Sequence, residues 1–512
     1  MTEEAFSLQC GIRKDIHDVF RGVLTNLTGP GMTGFLLSSM VALTPSHALA
    51  TSFDQAQAQA LPPIPTQFPE LGDLRLPKNE KVVLRNGLRV FLVQDPDVPL
   101  VKGTLLFRGG LRASPTDKVG IASISAGVQR AGGSVAHPGA VLDEALEQRA
   151  ALIEGGAGPE SSSLGFECLA EDTEEIVGLF SEVLMSPALP EDKLALYKSQ
   201  VLNVLEHLND NPGAAPRRLL ARLLYGRDSV FARIPMPDQV TSITRADVAS
   251  HLGTWQRPDA AVLGIAGDFD FASMKAVLER QLGGWRPAAG QPEAPPPVPN
   301  TPLPDFHPEP TSVYLVDRPG LTQASVLVGE PGISLADSDS YALDVLGDIL
   351  NSFGGRLFDQ IRSREGLTYS VSGGWDSPID HQGLFAAGGS TARPAEFLDQ
   401  LQRVLREATE VLPTEEEIAS AKAETLNSFI FNFASTNAQM QRTIIYALLG
   451  LPEDYLFTYK AGIEAVTAED VLGAAQRHLH PDQQTVVIAA DMSTMQKKLE
   501  DRGRHVIPMT LD

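Results

Sequence analysis

The 512-residue sequence predicts an α+β fold made of two homologous halves. Helical stretches are grouped between pairs of strand-like segments instead of alternating with single strands, which favours mostly antiparallel sheets flanked by helices. Two stretches far apart in the chain share the same order of threonine, aspartate and proline residues. A proline-rich segment separates them. These observations predict two related α+β units joined by a linker.

The chain opens with a stretch that has the pattern of a leader, predicted to span residues 1–50. The apolar run 34–43 is followed by Pro45 and by Ala-Leu-Ala at 48–50, a pattern typical of secretory signals. The run is too short to span a bilayer. We therefore expect an exported, periplasmic protein with no stable membrane span after cleavage. A start at Met32 shortens the leader, and an N-terminal anchor or a misplaced start is the alternative.

The remaining chain divides at two proline-rich segments. Residues 51–74 form a polar spacer and residues 286–310 a second, denser one, whose proline content cannot pack into a core and suits a semi-rigid connector. The predicted first half is 75–285 and the second half 311–512. Such a connector predicts that the halves move as semi-independent bodies.

An internal repeat supports the two-half interpretation. "ITRADVASHLGTWQRPDAAVLGIAGDFD" ends the first half and "VTAEDVLGAAQRHLHPDQQTVVIAADMS" ends the second. Each stretch reads as a helix capped by Thr244 or Thr467, a proline turn and an apolar strand. Three residues match at one constant separation, namely Asp247 with Asp470, Pro258 with Pro481 and Asp268 with Asp491. A constant separation across three elements indicates a duplication.

Composition excludes several classes of function. Hydrophobic residues make up 43% and charged residues 21%, as in ordinary globular proteins. The net charge of −23 argues against nucleic acid and anionic membranes as partners. Only two cysteines occur, Cys10 and Cys168, and no Cys/His metal pattern accompanies them. A lone cysteine in an apolar strand, such as Cys168, is expected to be part of the core.

Three segments resemble the pitrilysin/insulinase-type metallopeptidases, the inverzincins. They are "NGLRVFLVQDPDVPLVKGTLLFRGGLRASPTDKVGIA" in the first half, "LNSFGGRLFDQIRSREGLTYSVSGGW" in the second, and the repeated endings of the two halves. The similarity covers about residues 75–500. It implies two homologous halves, each an α/β roll with a mostly antiparallel sheet flanked by helices, that form a clamshell around a peptide.

The same resemblance implies that the zinc site has been lost. Active members carry H-x-x-E-H on a helix, with two His as ligands and the Glu as general base. The matching positions are Ser123, Ala126 and Gly127, and neither H-x-x-E-H nor H-E-x-x-H occurs in the sequence. Glu206 falls where the family has its third ligand and is predicted to be vestigial. We expect no metal and no other cofactor in this chain.

The second half keeps a family pattern that the first half has lost. Arg362 and Tyr369 match the family's Arg…Gly-Leu-x-Tyr segment, whose side chains face the zinc from the opposite half. Arg supplies donors for a carbonyl or carboxylate, and Tyr a hydroxyl for an oxyanion. A surface ion pair and a sheet tyrosine are the plain alternative. Peptide is expected to add to a sheet edge near 156–167, with Gly156 and Ser161 as contacts.

Three functions follow from this pattern. The first is a non-catalytic, substrate-binding subunit of a two-chain zinc metalloendopeptidase. In it a heterodimer partner of the same family carries H-x-x-E-H and the zinc, as in the mitochondrial processing peptidase. The second is a peptide-binding or structural scaffold with no role in proteolysis. The third is a hydrolase with a Ser or Cys nucleophile, for which Ser123 has no histidine nearby in sequence.

Overall fold

The computed structural model describes residues 79–211, 213–309, 311–352, 354–431 and 435–510. The predicted leader and the first proline-rich spacer lie outside the described residues. No helix in these ranges is long and apolar enough to cross a membrane.

The first half contains six strands and eight helices within the described residues. They are β1 Asn79–Val83, β2 Arg89–Gln94, β3 Leu100–Arg108, α1 Ile121–Gly132, α2 Gly139–Glu147, β4 Leu152–Ala157, β5 Ser161–Leu169, α3 Thr173–Met185, α4 Glu191–Glu206, α5 Ala214–Tyr225, α6 Pro237–Ser242, α7 Arg245–Trp255, β6 Ala261–Gly267 and α8 Phe271–Gln281. The strands form one sheet in the order β1-β2-β6-β3-β5-β4. Only the β2–β6 pair is parallel in this sheet.

The described part of the second half repeats this plan. Its elements are β7 Ser312–Asp317, β8 Ala324–Pro331, α9 Ser340–Asn351, a π-helix Phe358–Arg364, β9 Val371–Trp375, β10 Leu384–Thr391, α10 Pro394–Glu410, α11 Glu415–Phe431, α12 Thr436–Leu449, α13 Tyr455–Ala465, α14 Ala468–His478, β11 Thr485–Ala490, α15 Met492–Glu500 and β12 His505–Met509. The sheet order is β12-β7-β11-β8-β10-β9, with β7 parallel to both neighbours. The predicted α+β fold with two mostly antiparallel sheets is confirmed.

The repeat seen in the sequence has the same local structure in both halves. Thr244 and Thr467 each cap a helix, and each accepts a hydrogen bond from the main-chain N–H of the aspartate three residues later. That aspartate in turn accepts from the threonine N–H at 2.8 Å. Each pair is therefore a capping box, which satisfies two donors that the helix itself leaves free.

One helix of each half packs on the sheet of the other half. Helix α12, from the second half, packs on the first sheet through Met440, Ile444 and Leu448. The contact is close: a Cβ placed on Gly264 of β6 would lie only 2.0 Å from Sδ of Met440, so the helix packs where Gly264 has no side chain. In the reverse direction, α5 of the first half packs its leucines on β7, β8 and β11.

This exchange overturns the expectation of semi-independent halves. Burying apolar side chains of one half on the sheet of the other makes separation costly, because those side chains would return to water. The linker is also fixed to the first half. The buried Arg257 donates to the carbonyls of Pro292 at 2.7 Å and of Glu293 at 2.8 Å. The halves are therefore interlocked, and the proline-rich linker does not leave them free of each other.

Candidate functional site

Helix α1 carries the three positions that match the family's zinc motif, and none of them offers a metal ligand. The hydroxyl of Ser123 donates to the carbonyl of Gly120, the residue just before α1, at 3.0 Å. Ala126 is buried, and Gly127 has no side chain. These three positions of α1 therefore supply neither an imidazole nor a carboxylate for a zinc ion.

The space beside Gly127 is filled by an aromatic ring. A Cβ on Gly127 would lie 2.3 Å from Cε1 of Tyr197 on α4. Real Cβ atoms do not approach carbon so closely, so no side chain at position 127 fits unless Tyr197 moves. The residues present do not fit the zinc of active members, and we derive no metal chemistry for this helix.

Helix α4 presents an apolar face toward α1. Tyr197, Val201 and Val204 lie on this face and border the same cavity as Ser123. Glu206 is exposed, and it lies about 200° around the helix from Val204, since each residue turns the helix by about 100°. Its role as a vestigial ligand stays a prediction from the sequence.

A cavity of about 910 Å³ occupies this region. Its walls come from α1, α4, the β4–β5 hairpin and the loop before α6, and Asp376, Pro378 and His381 of the second half close it. The size is within the usual range for small-ligand pockets. Helix α1, which carries the positions that match the zinc motif, thus borders a largely apolar cavity between the two halves.

An ion pair joins the two halves at the mouth of the cavity. Arg112 is 4% exposed, and both terminal nitrogens of its guanidinium donate to the carboxylate of Asp380. His381 stacks on Phe231, with 3.7 Å between ring centroids and 11° between ring planes. The hydroxyl of Tyr225 donates to the carbonyl of Gln382 at 3.1 Å. Sequence reasoning missed this contact, because none of these residues belongs to a recognisable motif.

Glu160, in the β4–β5 turn, is the unpaired acid of the cavity. Its carboxylate has no hydrogen bond or ion pair with any residue that the structure describes. Burial raises the pKa of Glu160, while the positive charge of Arg112 offsets part of that rise. Possible ligand atoms of Glu160, Asp380 and His381 lie within 4.8 Å of one another. A metal ion there would have to compete with Arg112 for Asp380.

Arg362 and Tyr369 lie together on the surface of the second half. Arg362 belongs to the π-helix, and its guanidinium carbon is 4.6 Å from the ring centroid of Phe358 and 4.7 Å from that of Tyr369. Short π-helical segments occur frequently at functional sites. Tyr369 is 75% exposed. Neither Arg362 nor Tyr369 is among the residues that line the cavity, and their contact with a peptide stays a prediction.

The two predicted peptide contacts of the first half fall at different places. Strand β4 is an edge of its sheet, and Gly156 on this strand borders the cavity. Ser161 is buried at the start of β5, which pairs on both sides with β3 and β4. Ser161 thus lies in a strand that is paired on both sides, whereas β4 has one unpaired edge. Contact of either residue with a peptide stays a prediction.

The neighbours of Cys168, His478 and His480 indicate structural roles for these three residues. Cys168 is buried, and burial raises its pKa to about 11, which keeps the thiol protonated at neutral pH. One nitrogen of His478 lies 2.8 Å from Asp339, and one of His480 lies 2.8 Å from Glu330. Asp339 also accepts two hydrogen bonds from Arg477. Glu330 is buried and Asp339 is half-buried, so each histidine has a hydrogen-bond partner within the fold.

The fold and this site define a class of protein: a two-half metallopeptidase-like chain whose first half has no zinc ligands on α1. Residues 242–425 match the family model described as the peptidase M16 inactive domain. The resemblance predicted from the sequence is confirmed: this chain is similar to proteins of the M16 family, and the matched stretch is the domain that the family model describes as inactive.

Two curated relatives match most of the chain. The uncharacterized zinc protease YmxG of Bacillus subtilis is 23% identical over 416 residues, which is 80% of this chain and 98% of the relative. The non-peptidase homolog YmxG of Helicobacter pylori is 24% identical over 394 residues, 76% of this chain and 88% of the relative. The relatives thus include one named as a protease and one named as a non-peptidase.

Solved structures share the fold. The M16 inactive domain from Pseudomonas fluorescens superposes with a TM-score of 0.68 at 24% identity and covers 80% of this chain and 97% of its own. The periplasmic protease PqqL of Escherichia coli has a TM-score of 0.67 at 16% identity and covers 84% of this chain. Only 49% of PqqL is matched, so this chain corresponds to about half of that protease.

Proposed function

We propose that this chain is the non-catalytic, substrate-binding subunit of a two-chain zinc metallopeptidase of the periplasm. A second M16 chain with H-x-x-E-H would hold the zinc. This chain would contribute Arg362 and Tyr369 to the peptide from the opposite side. The match to about half of PqqL supports a two-chain assembly, because a second unit of similar size is needed to build a protease of that length.

The observation that carries the proposal is the setting of Arg362. Its guanidinium lies over the rings of both Phe358 and Tyr369 and has no hydrogen-bond or ion-pair partner among the described residues. Ring faces stabilise the cation without using its N–H groups, which lie in the guanidinium plane. The side chain is thus held in place while its donors are available for a peptide carbonyl or carboxylate.

Tyr369 supplies the second group. Its exposed hydroxyl lies on the same surface as the guanidinium and can donate to the oxyanion that forms when a peptide bond is hydrolysed. Such a donor acts mainly in the transition state, so its loss should lower kcat more than it raises KM. A surface that served only assembly would need neither a held guanidinium nor an exposed hydroxyl beside it.

The test is hydrolysis of a quenched fluorescent peptide by this chain and by the H-x-x-E-H family member of the same genome, separately and mixed. We expect activity only in the mixture. Tyr369→Phe should lower kcat by about 100-fold, the usual effect of removing one oxyanion donor, and Arg362→Ala should also abolish most activity. Size-exclusion chromatography must show that the variant complexes still assemble.

Arg364→Ala is the matched control, since Arg364 lies two residues from Arg362 but is paired with Asp359 at 2.6 Å. It should leave kcat unchanged. Full activity of a mixture that contains Tyr369→Phe and Arg362→Ala chains would refute the proposal. It would leave the alternative function, a peptide-binding or structural scaffold with no role in proteolysis. Chelator-sensitive activity of this chain alone would contradict the loss of the zinc site.

A further inference from the structure

The cavity beside helix α1 has apolar side chains in its wall that are exposed to solvent. Val204 on α4 is 61% exposed and Leu111 is 40% exposed, and both line the cavity. Val201, Leu205 and Leu208 extend the same wall. Apolar side chains that face a concave space of about 910 Å³ favour a ligand with an apolar body.

One carboxylate at this cavity lacks a direct partner. Glu160, Arg112, Arg233 and His381 line the cavity, and Asp380 lies beside it, with possible ligand atoms of Glu160, Asp380 and His381 within 4.8 Å of one another. Arg112 is held by Asp380, and Arg233 donates to the main-chain carbonyls of Arg112 and Ser114. The carboxylate of Glu160, in contrast, has no hydrogen bond or ion pair with any residue within the described ranges.

We propose that this cavity binds a small amphiphilic monocation, with its apolar body against α4 and its ammonium or guanidinium group at Glu160. A charged group in a half-buried site is stable only if it is paired, and a cationic ligand would supply the partner that the chain does not. The cation could belong to a free alkylamine or to a basic side chain of a peptide. The site lies within this chain and needs no second subunit, so the inference stands apart from the proposed function.

Calorimetric titration of the full chain with three six-carbon probes tests the proposal. The probes are n-hexylammonium, 1-hexanol and hexanoate. Hexylammonium should bind at least about tenfold more tightly than hexanol, because a hydrogen bond to a charged group contributes about 1.5 kcal/mol or more. Hexanoate should not bind. Equal affinity for the three probes, or no binding of hexylammonium to the unmodified chain, would overturn the proposal.

Two variants and one control locate the site. Glu160→Gln should remove the difference in affinity between hexylammonium and hexanol, while Val204→Ser should lower the affinity for both probes. Glu171→Gln, at an exposed glutamate outside the cavity, should change neither affinity. If Glu160→Gln binds hexylammonium as the unmodified chain does, the head group lies elsewhere and the assignment is wrong. The probe selectivity of the unmodified chain does not depend on whether a variant folds.

A second pair of probes separates the two sources of the cation. Acetyl-Ala-Lys-Ala-amide is compared with the same peptide carrying norleucine in place of lysine. A preference for the lysine peptide that Glu160→Gln removes assigns the cavity to basic peptide side chains. Binding of hexylammonium without binding of either peptide assigns it to free amines.

Discussion

The guanidinium of Arg112, in the first half, forms a two-point ion pair with the carboxylate of Asp380, in the second half. Burial alone would raise the pKa of Asp380, but hydrogen bonds from His381 and Arg112 hold it well below its usual range. Arg112 is almost fully buried, whereas Asp380 reaches solvent. The pair thus places a buried cation at the junction of the halves, next to the cavity.

Asp380→Asn should lower the free energy of unfolding by about 3 kcal/mol, because the buried guanidinium of Arg112 would lose its counter-charge. Urea denaturation measures this loss. The matched control is Glu174→Gln, which breaks the pair between Arg280 and Glu174, two residues that are each more than half exposed. That change should cost less than about 1 kcal/mol. A similar cost for both variants would mean that the ion pair between the halves contributes little.

Gly127→Ala should destabilise the chain by about 1–3 kcal/mol, because the new Cβ meets the ring of Tyr197 at 2.3 Å. A double-mutant cycle measures the effect: in a Tyr197→Ala background, Gly127→Ala should cost much less. Gly347→Ala is the control, since a Cβ there meets nothing within 4 Å on helix α9. Equal cost of Gly127→Ala in both backgrounds would contradict the filling of this position by Tyr197.

Ile444→Ala should lower the stability of both halves together by about 2–5 kcal/mol, since Ile444 is fully buried on the sheet of the other half. Single-tryptophan variants report each half separately, because Trp285 lies in the first core and Trp375 in the second. Both signals should shift to the same lower urea midpoint. Leu220→Ala, on helix α5 of the first half, should likewise lower both midpoints together, because Leu220 packs on the sheet of the second half. A shift of one signal alone would show that the halves unfold independently.

His251→Gln should make the chain less sensitive to acid between pH 6.5 and 4. Burial lowers the pKa of His251 from 6.5 to about 4 in the folded chain. Below pH 6.5 the unfolded chain binds a proton that the folded chain does not, so folding loses up to about 3 kcal/mol as the pH falls to 4. Urea denaturation at pH 7 and pH 4.5 measures the difference. The variant and the unmodified chain should differ in slope with pH; parallel curves would exclude His251 as the cause.

Some of the fold and the site could be predicted from sequence because the signals are local. Thr244 and Thr467 with their aspartates form capping boxes within four residues, and in one helix Ser123 and Gly127 stand at the two ligand positions and Ala126 at the position of the general base. Such patterns depend only on neighbours along the chain.

The contacts that were missed join residues far apart in sequence. Arg112 meets Asp380, and Tyr197 fills the space beside Gly127, yet neither pair shares a motif. The leucines of α5 read as an ordinary apolar stripe, and nothing in their spacing says which sheet they cover. Glu160 stands in a turn, where an acidic residue is common, so only its place on a cavity wall distinguishes it.

The reciprocal covering of the sheets by α5 and α12 bears on how the chain arose. The two helices occupy equivalent places in the repeated halves, and each covers the sheet of the other half. Two identical single-unit chains that traded this helix would be a domain-swapped homodimer, with the same patch used by both copies. Gene duplication followed by fusion through the proline-rich linker would turn that dimer into one chain. Once fused, one copy could lose its metal ligands while the shared architecture was kept.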